Sequence, residues 1–153
     1  MTSLLEIVIN EPFQADLLQH LYQNQQDLEK AHPDAKYPFC PKEWEEIINR
    51  DSANTSILFK RNHKVIGHLA FLINGEYLYL CFVIIERQHR NQKLAKEMIS
   101  MSEEFCRLNF SHKELYLNVH KENTTALGLY KSMGYQVTNQ HKMKTTMKKR
   151  LKK

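Results

Sequence analysis

Cysteine is sparse in this chain of 153 residues, and the few present form no cluster. Cys40, Cys81 and Cys106 lie far apart with no C-x-x-C pair, which excludes a zinc knuckle and a redox dithiol. Their odd number, with two in apolar surroundings, points to reduced thiols and a cytoplasmic protein. The eight histidines include no pair at the four-residue spacing of a zinc-binding helix. Neither a G-x-S-x-G elbow nor a Cys/His nucleophile context is present. Long apolar runs are missing as well. Glu6 and Asn10 interrupt the first one, and none reaches the roughly 20 residues of a membrane span, so neither a signal peptide nor a transmembrane segment is expected.

What is there describes one folded domain over residues 1–153. A hydrophobic fraction of 42% and an aromatic fraction of 10% exclude a disordered chain. The net charge of +5 invites a nucleic-acid partner, but its location argues against one. Lys142, Lys144, Lys148, Lys149, Arg150, Lys152 and Lys153 supply seven positive charges with no acid among them, so the rest of the chain sums to −2. Residues 142–153 therefore read as a basic C-terminal strand and tail on a body that is not basic. Nucleic acid is a disfavoured partner, since that reading rests on the tail alone. It predicts salt-sensitive binding that vanishes on truncation after Met147.

In chain order, residues 4–9 read as a strand. Asn10 then caps a helix begun by Glu11 and Pro12, with Phe13, Leu17, Leu18, Leu21 and Tyr22 on one face and a blurred end in the Gln/Asn-rich residues 23–26. Pro33, Pro38 and Pro41 make residues 31–41 the longest loop. Pro41 opens a short helix with Trp44, Ile47 and Ile48 inward. Strands follow at 56–60 and 65–73 around a turn at 61–63, and Asn74-Gly75 signals a hairpin into the next strand.

That next strand organises the chain. Residues 77–85 are an uncharged β-branched and aromatic run suited to a strand buried on both faces. Residues 86–93 turn polar and basic, and from Leu94 the apolar steps Leu94, Met98, Met101, Phe105 are helical. A strand feeding a helix through a basic loop places unpaired N–H groups and the positive end of the helix dipole where an anion can bind. A strand at 114–120 comes next, then a helix capped by Asn123 or Thr124 and stopped by Gly134, a strand at 135–138, a turn at 139–141 and a last strand at about 144–150. The order is β-α-α-β-β-β-α-β-α-β-β, without an internal repeat.

Two segments carry a family pattern. Arg90-Asn91-Gln92-Lys93-Leu94-Ala95 lines up with Gln/Arg-x-x-Gly-x-Gly/Ala, and residues 123–135 run without a gap through Asn-x-x-Ala-x-x-Leu-Tyr-x-x-x-Gly-Phe/Tyr as Asn123, Ala126, Leu129, Tyr130, Gly134 and Tyr135. With the element order, the chain resembles the GNAT superfamily of N-acetyltransferases from residue 4 to about residue 151. The resemblance implies an α/β (α+β) fold: a single domain with a mixed, mostly antiparallel sheet of about seven strands, helices on both faces, and splayed fourth and fifth strands.

It also implies a function, transfer of an acetyl group from acetyl-CoA to a primary amine of a small molecule, peptide or protein by direct attack, with no metal and no covalent enzyme intermediate. In that setting the backbone of Val83, Ile84 and Ile85 pairs with pantetheine, and a backbone N–H near Ile84 or Ile85 polarises the acetyl carbonyl. Arg90, Asn91, Gln92, Lys93, Leu94, Ala95 and Lys96 surround the pyrophosphate, the Asn123 amide bonds the pantetheine arm, and Tyr130 is general acid to the departing thiolate. A phenol with a pKa near ~10 is protonated at neutral pH and can give its proton to sulfur. Asn123 and Tyr130 are seven residues apart, about two turns at ~3.6 residues each, and so share one side of the helix.

The chain departs from the pattern at Asn91 and Lys93, where the family has glycine to let the backbone close around the phosphates. Asn91 tolerates unusual φ, and Lys93 either supplies a compensating cation or obstructs the loop. The family's acidic positions on the fourth and fifth strands are occupied by Tyr79 and Asn118, so the general base is unassigned among Glu76, Glu86, His89, His120 and water. The acceptor wall is expected from residues 31–41, the helix bearing Trp44 and the turn at 139–141. A homodimer through the C-terminal strands suits a fold of this type. Lys93 and the missing acids motivate the alternative of a non-catalytic acyl-CoA-binding sensor or regulatory module.

Overall fold

A computed structural model describes residues 5–32 and 37–152. Its seven strands form one mixed sheet in the order β1-β2-β3-β4-β5-β7-β6. The chain packs as two compact units, Met1–Ile73 with Cys81–Arg90, and Asn74–Leu80 with Asn91–Lys153, so that β4 belongs to both.

The first unit begins with β1 (Glu6–Ile9), antiparallel to β2 (Thr55–Arg61) in a register that sets Ile7 opposite Phe59. A tight turn with Asn62 and His63 at φ 53° and 66° leads from β2 into β3 (Lys64–Asn74). Positive φ at both central residues matches the strand twist of a two-residue hairpin. Gly75, at φ 62°, turns the chain into β4 (Tyr77–Ile85).

Between β1 and β2 the chain departs from the expected helix at Glu11-Pro12. Asn10 accepts from the Gln14 N–H at 3.1 Å and donates to its carbonyl at 3.3 Å, while its own N–H bonds Ser56 O at 2.8 Å. These local bonds compete with a helical turn. A 3-10 helix begins only at Ala15 and runs to Leu21. The Gln/Asn-rich segment is a helix start rather than a blurred end: the Asn24 side chain accepts from the Asp27 N–H at 2.9 Å and caps α1 (Gln25–Ala31). The loop expected at 31–41 thus loses its first residue to α1, and Pro33 lies outside the described residues. Helix α2 (Pro41–Ile48) starts at its proline as expected.

The core of this unit is aromatic. Trp44, 1% exposed, lies 4.3 Å from Phe82, 5.1 Å from Phe39 and 5.2 Å from Tyr22 between ring centroids, with Leu18, Leu21, Leu28 and Leu58 in the same cluster. Trp44 therefore fills the interior of this unit.

The second unit is built on α3 (Gln92–Asn109), whose buried face is Leu94, Met98, Ile99, Ser102, Glu103 and Cys106. β5 (Glu114–His120) buries the alternate residues Leu115, Leu117 and Val119. It pairs antiparallel with β7 (Lys144–Arg150) along its whole length, from Glu114↔Arg150 to His120↔Lys144. Within this unit it is parallel to β4, with Tyr79 opposite Tyr116 and Leu80 opposite Leu117.

Helix α4 (Thr124–Ser132) starts at Asn123, whose Oδ1 accepts from Ala126 N at 3.2 Å. It ends on Gly134 at φ +98°, with Tyr135 N bonding Tyr130 O at 3.0 Å and Gly134 N bonding Lys131 O at 3.1 Å, a glycine-terminated cap. β6 (Gln136–His141) is longer than expected. Asn139, Gln140 and His141 find cross-strand partners in Thr146, Thr145 and Lys144 instead of turning, and the turn moves to Lys142, at φ 52°.

Candidate functional site

Near the end of β4, Phe82 takes a φ of +60°. For a bulky residue that conformation costs about 1–3 kcal/mol and persists only where surroundings hold it. Here the Phe82 ring is fixed against Trp44 and, at 5.0 Å, His32, and the Tyr22 hydroxyl donates to its carbonyl at 3.5 Å. The next residues are those expected to act through their backbone: Val83 is half-buried, Ile84 and Ile85 are buried. The strained position lies immediately before them.

The polar segment that follows is tied down by two buried carboxylates. Glu86 meets Lys64 at 3.1 Å, His89 at 3.0 Å and His20 at 3.7 Å. Burial alone would raise its pKa, but the Lys64 hydrogen bond and charge, with His20 and His89, outweigh that and hold it below the ordinary value. Glu86 is thus a structural anion and a poor proton acceptor. Asp27 of α1 holds Arg90 at 3.0 Å and Arg87 at 3.5 Å, and Arg90 Nε also donates to Ile85 O at 2.8 Å. The Arg90 guanidinium is therefore engaged within the protein, whereas Lys93 is exposed and Lys96 half-buried.

At the start of α3, Asn91 caps the helix by accepting from Leu94 N at 2.8 Å, and Ala95 N bonds Asn91 O at 3.1 Å. Asn91 sits at φ −161°, extended backbone open to any residue. No positive φ is used there, and Lys93 is already helical. This local path explains how the segment forms without the expected glycines. The first N–H groups of an α-helix have no intrahelical acceptor, so Gln92 and Lys93 present donors at the positive end of an 18-residue helix.

In α4, Asn123 uses its side-chain oxygen for the cap, and Tyr130 is 7% exposed with its ring edge-on to Tyr135 at 5.5 Å between centroids. Tyr135 in turn donates its hydroxyl to Glu103 Oε2 at 2.7 Å, and Lys149 meets Glu103 Oε1 at 3.0 Å. Burial, followed by the Glu103 charge and hydrogen bond, pushes the Tyr135 phenol far above its ordinary pKa, so it remains a donor. Sequence reasoning missed this Glu103–Tyr135–Lys149 group. The available signal was an acid inside the apolar stripe of α3, which needs a cation or donor to be buried there.

Two residues of β5 have local partners. Asn118 Oδ1 accepts from the Thr146 hydroxyl at 2.6 Å, and His120 Nδ1 accepts from Glu122 N at 3.2 Å. The basic C-terminal strand has partners of its own, Lys148 with Glu114 at 2.9 Å and Lys149 with Glu103. A cavity of about 340 Å³ in the first unit, lined by Asn10, Glu11, Phe13, Asp51, Asn54 and Ser56 among others, contains none of the expected site residues. Among the described residues no His/Cys/Asp/Glu group could hold a metal, and no helix is long and apolar enough to cross a membrane.

Residues 16–135 match the profile of the acetyltransferase (GNAT) family. The chain belongs to that family. Solved structures agree at the level of fold. The ribosomal-protein-S18-alanine N-acetyltransferase from Escherichia coli superposes with a TM-score of 0.77 at 15% identity, covering 98% of this chain and 96% of that one. The PaiA N-acetyltransferase from Thermoplasma acidophilum, in complex with coenzyme A, gives 0.77 at 14% identity over 96% and 99% of the two chains. The spermidine N-acetyltransferase from Vibrio cholerae, with CoA and spermine, gives 0.74 at 18% identity over 94% and 92%. No curated protein matches by sequence. As a GNAT N-acetyltransferase, the chain places its two motif segments at the N-termini of α3 and α4.

Proposed function

We propose that this protein transfers an acetyl group from acetyl-CoA to a primary amine of a small molecule or peptide, with Tyr130 as general acid. The observation that carries the reading is α4 itself: Asn123 at its cap and Tyr130 two turns on, the ring braced by Tyr135. Two further observations support it. β4 pairs in parallel with β5 at Tyr79 and Leu80, and the strained Phe82 follows just before the residues proposed to offer their backbone to a ligand. The start of α3 combines unpaired N–H donors with the exposed Lys93 cation and nearby Lys96, a donor set that suits a pyrophosphate. The CoA found in two of the related structures, one of them with a polyamine, is consistent with both substrates.

When bound, acetyl-CoA supplies an acyl group on a good leaving group. The chain's own contribution is positioning and one proton. Main-chain N–H groups at Ile84 and Ile85 hold and polarise the carbonyl oxygen, and the amine nitrogen attacks its carbon. As the carbon–sulfur bond breaks, the Tyr130 hydroxyl gives its proton to sulfur. The attacking nitrogen loses a proton to solvent, and Tyr130 recovers one by the same route. Glu86, whose pKa is held below its ordinary value by Lys64 and two histidines, takes no part as a base.

A thiol-release assay with acetyl-CoA over a panel of amines, amino acids and peptides tests the reading. Release that depends on one acceptor class supports it. Firm CoA binding with no release across the panel would replace it with a non-catalytic binding module.

A further inference from the structure

Asp27 is a carboxylate with 3% of its side chain exposed, in the first turn of α1, far in sequence from either motif. A buried acid is costly unless its charge is matched, and pairs of this kind are better explained by the geometry they fix than by net stability. Its partners are Arg87 at 3.5 Å and Arg90 at 3.0 Å, the residues that open and close the 3-10 turn Arg87–His89 and its flank. The same turn is closed by His89 N on Glu86 O at 2.8 Å and by Arg90 Nε on Ile85 O at 2.8 Å. Arg90 is thus clamped between the last residue of β4 and Asp27. The next residue in the chain, Asn91, caps α3.

We infer that Asp27 is a positioning residue for the phosphate-binding segment: through Arg87 and Arg90 it fixes the backbone that delivers residues 91–95 to the pyrophosphate of CoA. This rests on the function proposed above. Glycine normally shapes such a loop by its backbone freedom, and this chain has none between Gly75 and Gly128. The ion pairs instead fix the path of this segment through side chains. Two guanidinium groups on one carboxylate also leave a positive excess, so the buried acid does not oppose an anion. Arg90 accordingly acts as a strut and not as the phosphate ligand, a role left to the α3 N–H groups and Lys93.

The test compares two acyl donors, acetyl-CoA and S-acetylpantetheine, which lacks the pyrophosphate. Asp27→Asn should raise KM for acetyl-CoA roughly tenfold, the scale of one lost charge-assisted hydrogen bond. Its kcat, and kcat/KM for S-acetylpantetheine, should stay within about twofold, because a positioning role outside the pantetheine and acyl contacts leaves both alone. The double variant Asp27→Asn, Arg90→Gln should fall no further than Arg90→Gln alone. If Asp27→Asn does not fold, Arg87→Gln and Arg90→Gln, whose side chains are 53% and 35% exposed, carry the same comparison. An equal loss on both donors, or no loss on either, overturns the inference. A wild-type protein that uses the two donors equally well overturns the inference alone, and one that turns over neither donor overturns the function beneath it as well.

Discussion

The two units treat their buried ionisable groups differently. In the first, Asp27 and Glu86 both hold residues of one short turn, and the fully buried His68 bonds the Ser56 hydroxyl at 2.8 Å, with Asn10 behind it at 3.3 Å. In the second, Glu103 holds one aromatic ring, Tyr135, on which Tyr130 rests. One unit uses buried charge to shape backbone; the other uses it to orient a side chain.

Breaking the second unit's side of the comparison should have the largest effect. Tyr130→Phe removes the proposed acid and keeps the ring, so kcat should fall by about 10²–10⁴-fold with acetyl-CoA affinity nearly unchanged, as steady-state rates and calorimetric titration would show. Next comes Glu103→Gln. It strands Lys149, which is 22% exposed, and weakens the Tyr135 hydrogen bond, for a loss of roughly 2–3 kcal/mol in denaturant unfolding after allowance for solvent at the lysine. A smaller drop in kcat should accompany it as the brace under Tyr130 loosens.

In the first unit a buried imidazole makes stability depend on pH. Burial lowers the His68 pKa from 6.5 to about 3 despite an opposing contribution from the Phe82 backbone. The imidazole is therefore neutral in the folded chain and protonatable in the unfolded one. The unfolded state binds more protons below pH 6.5, so stability should be flat above that value and fall as pH drops toward 3. At pH 5 the loss from this group should be about 2 kcal/mol. His68→Gln should shrink the difference between unfolding curves at pH 7 and pH 5. The smallest effect concerns thiols. Burial pushes Cys81 and, with help from Glu103, Cys106 up to about 12, whereas Cys40 is exposed. A thiol-labelling time course near pH 8 should show one fast cysteine and two that react only on unfolding.

What was legible in the sequence follows the same division. β4, β5 and β7 were read with their observed limits, because alternation and β-branched runs mark strands directly. α4 was legible from Asn123 and Gly134, residues whose backbone roles allow few substitutes. The region around Asn10 was not. Its side chain satisfies Gln14 in place of capping a helix, and only the tertiary bond from Asn10 N to Ser56 shows why. The partners of Asp27 and Glu103 were not legible for a related reason: Arg87 is 60 positions from Asp27 and Lys149 is 46 from Glu103, beyond any local pattern.

The proposed reaction requires that CoA be held by the main chain of β4 and by the start of α3. The most direct measurement is a titration of the isotopically labelled protein with CoA, following backbone amide resonances. The amides of residues 83–85 and 92–95 should shift in a saturable way, with those around the cavity at Asn10 and Asp51 unmoved. Saturable shifts confined to that cavity, or no shift at either segment, would contradict it.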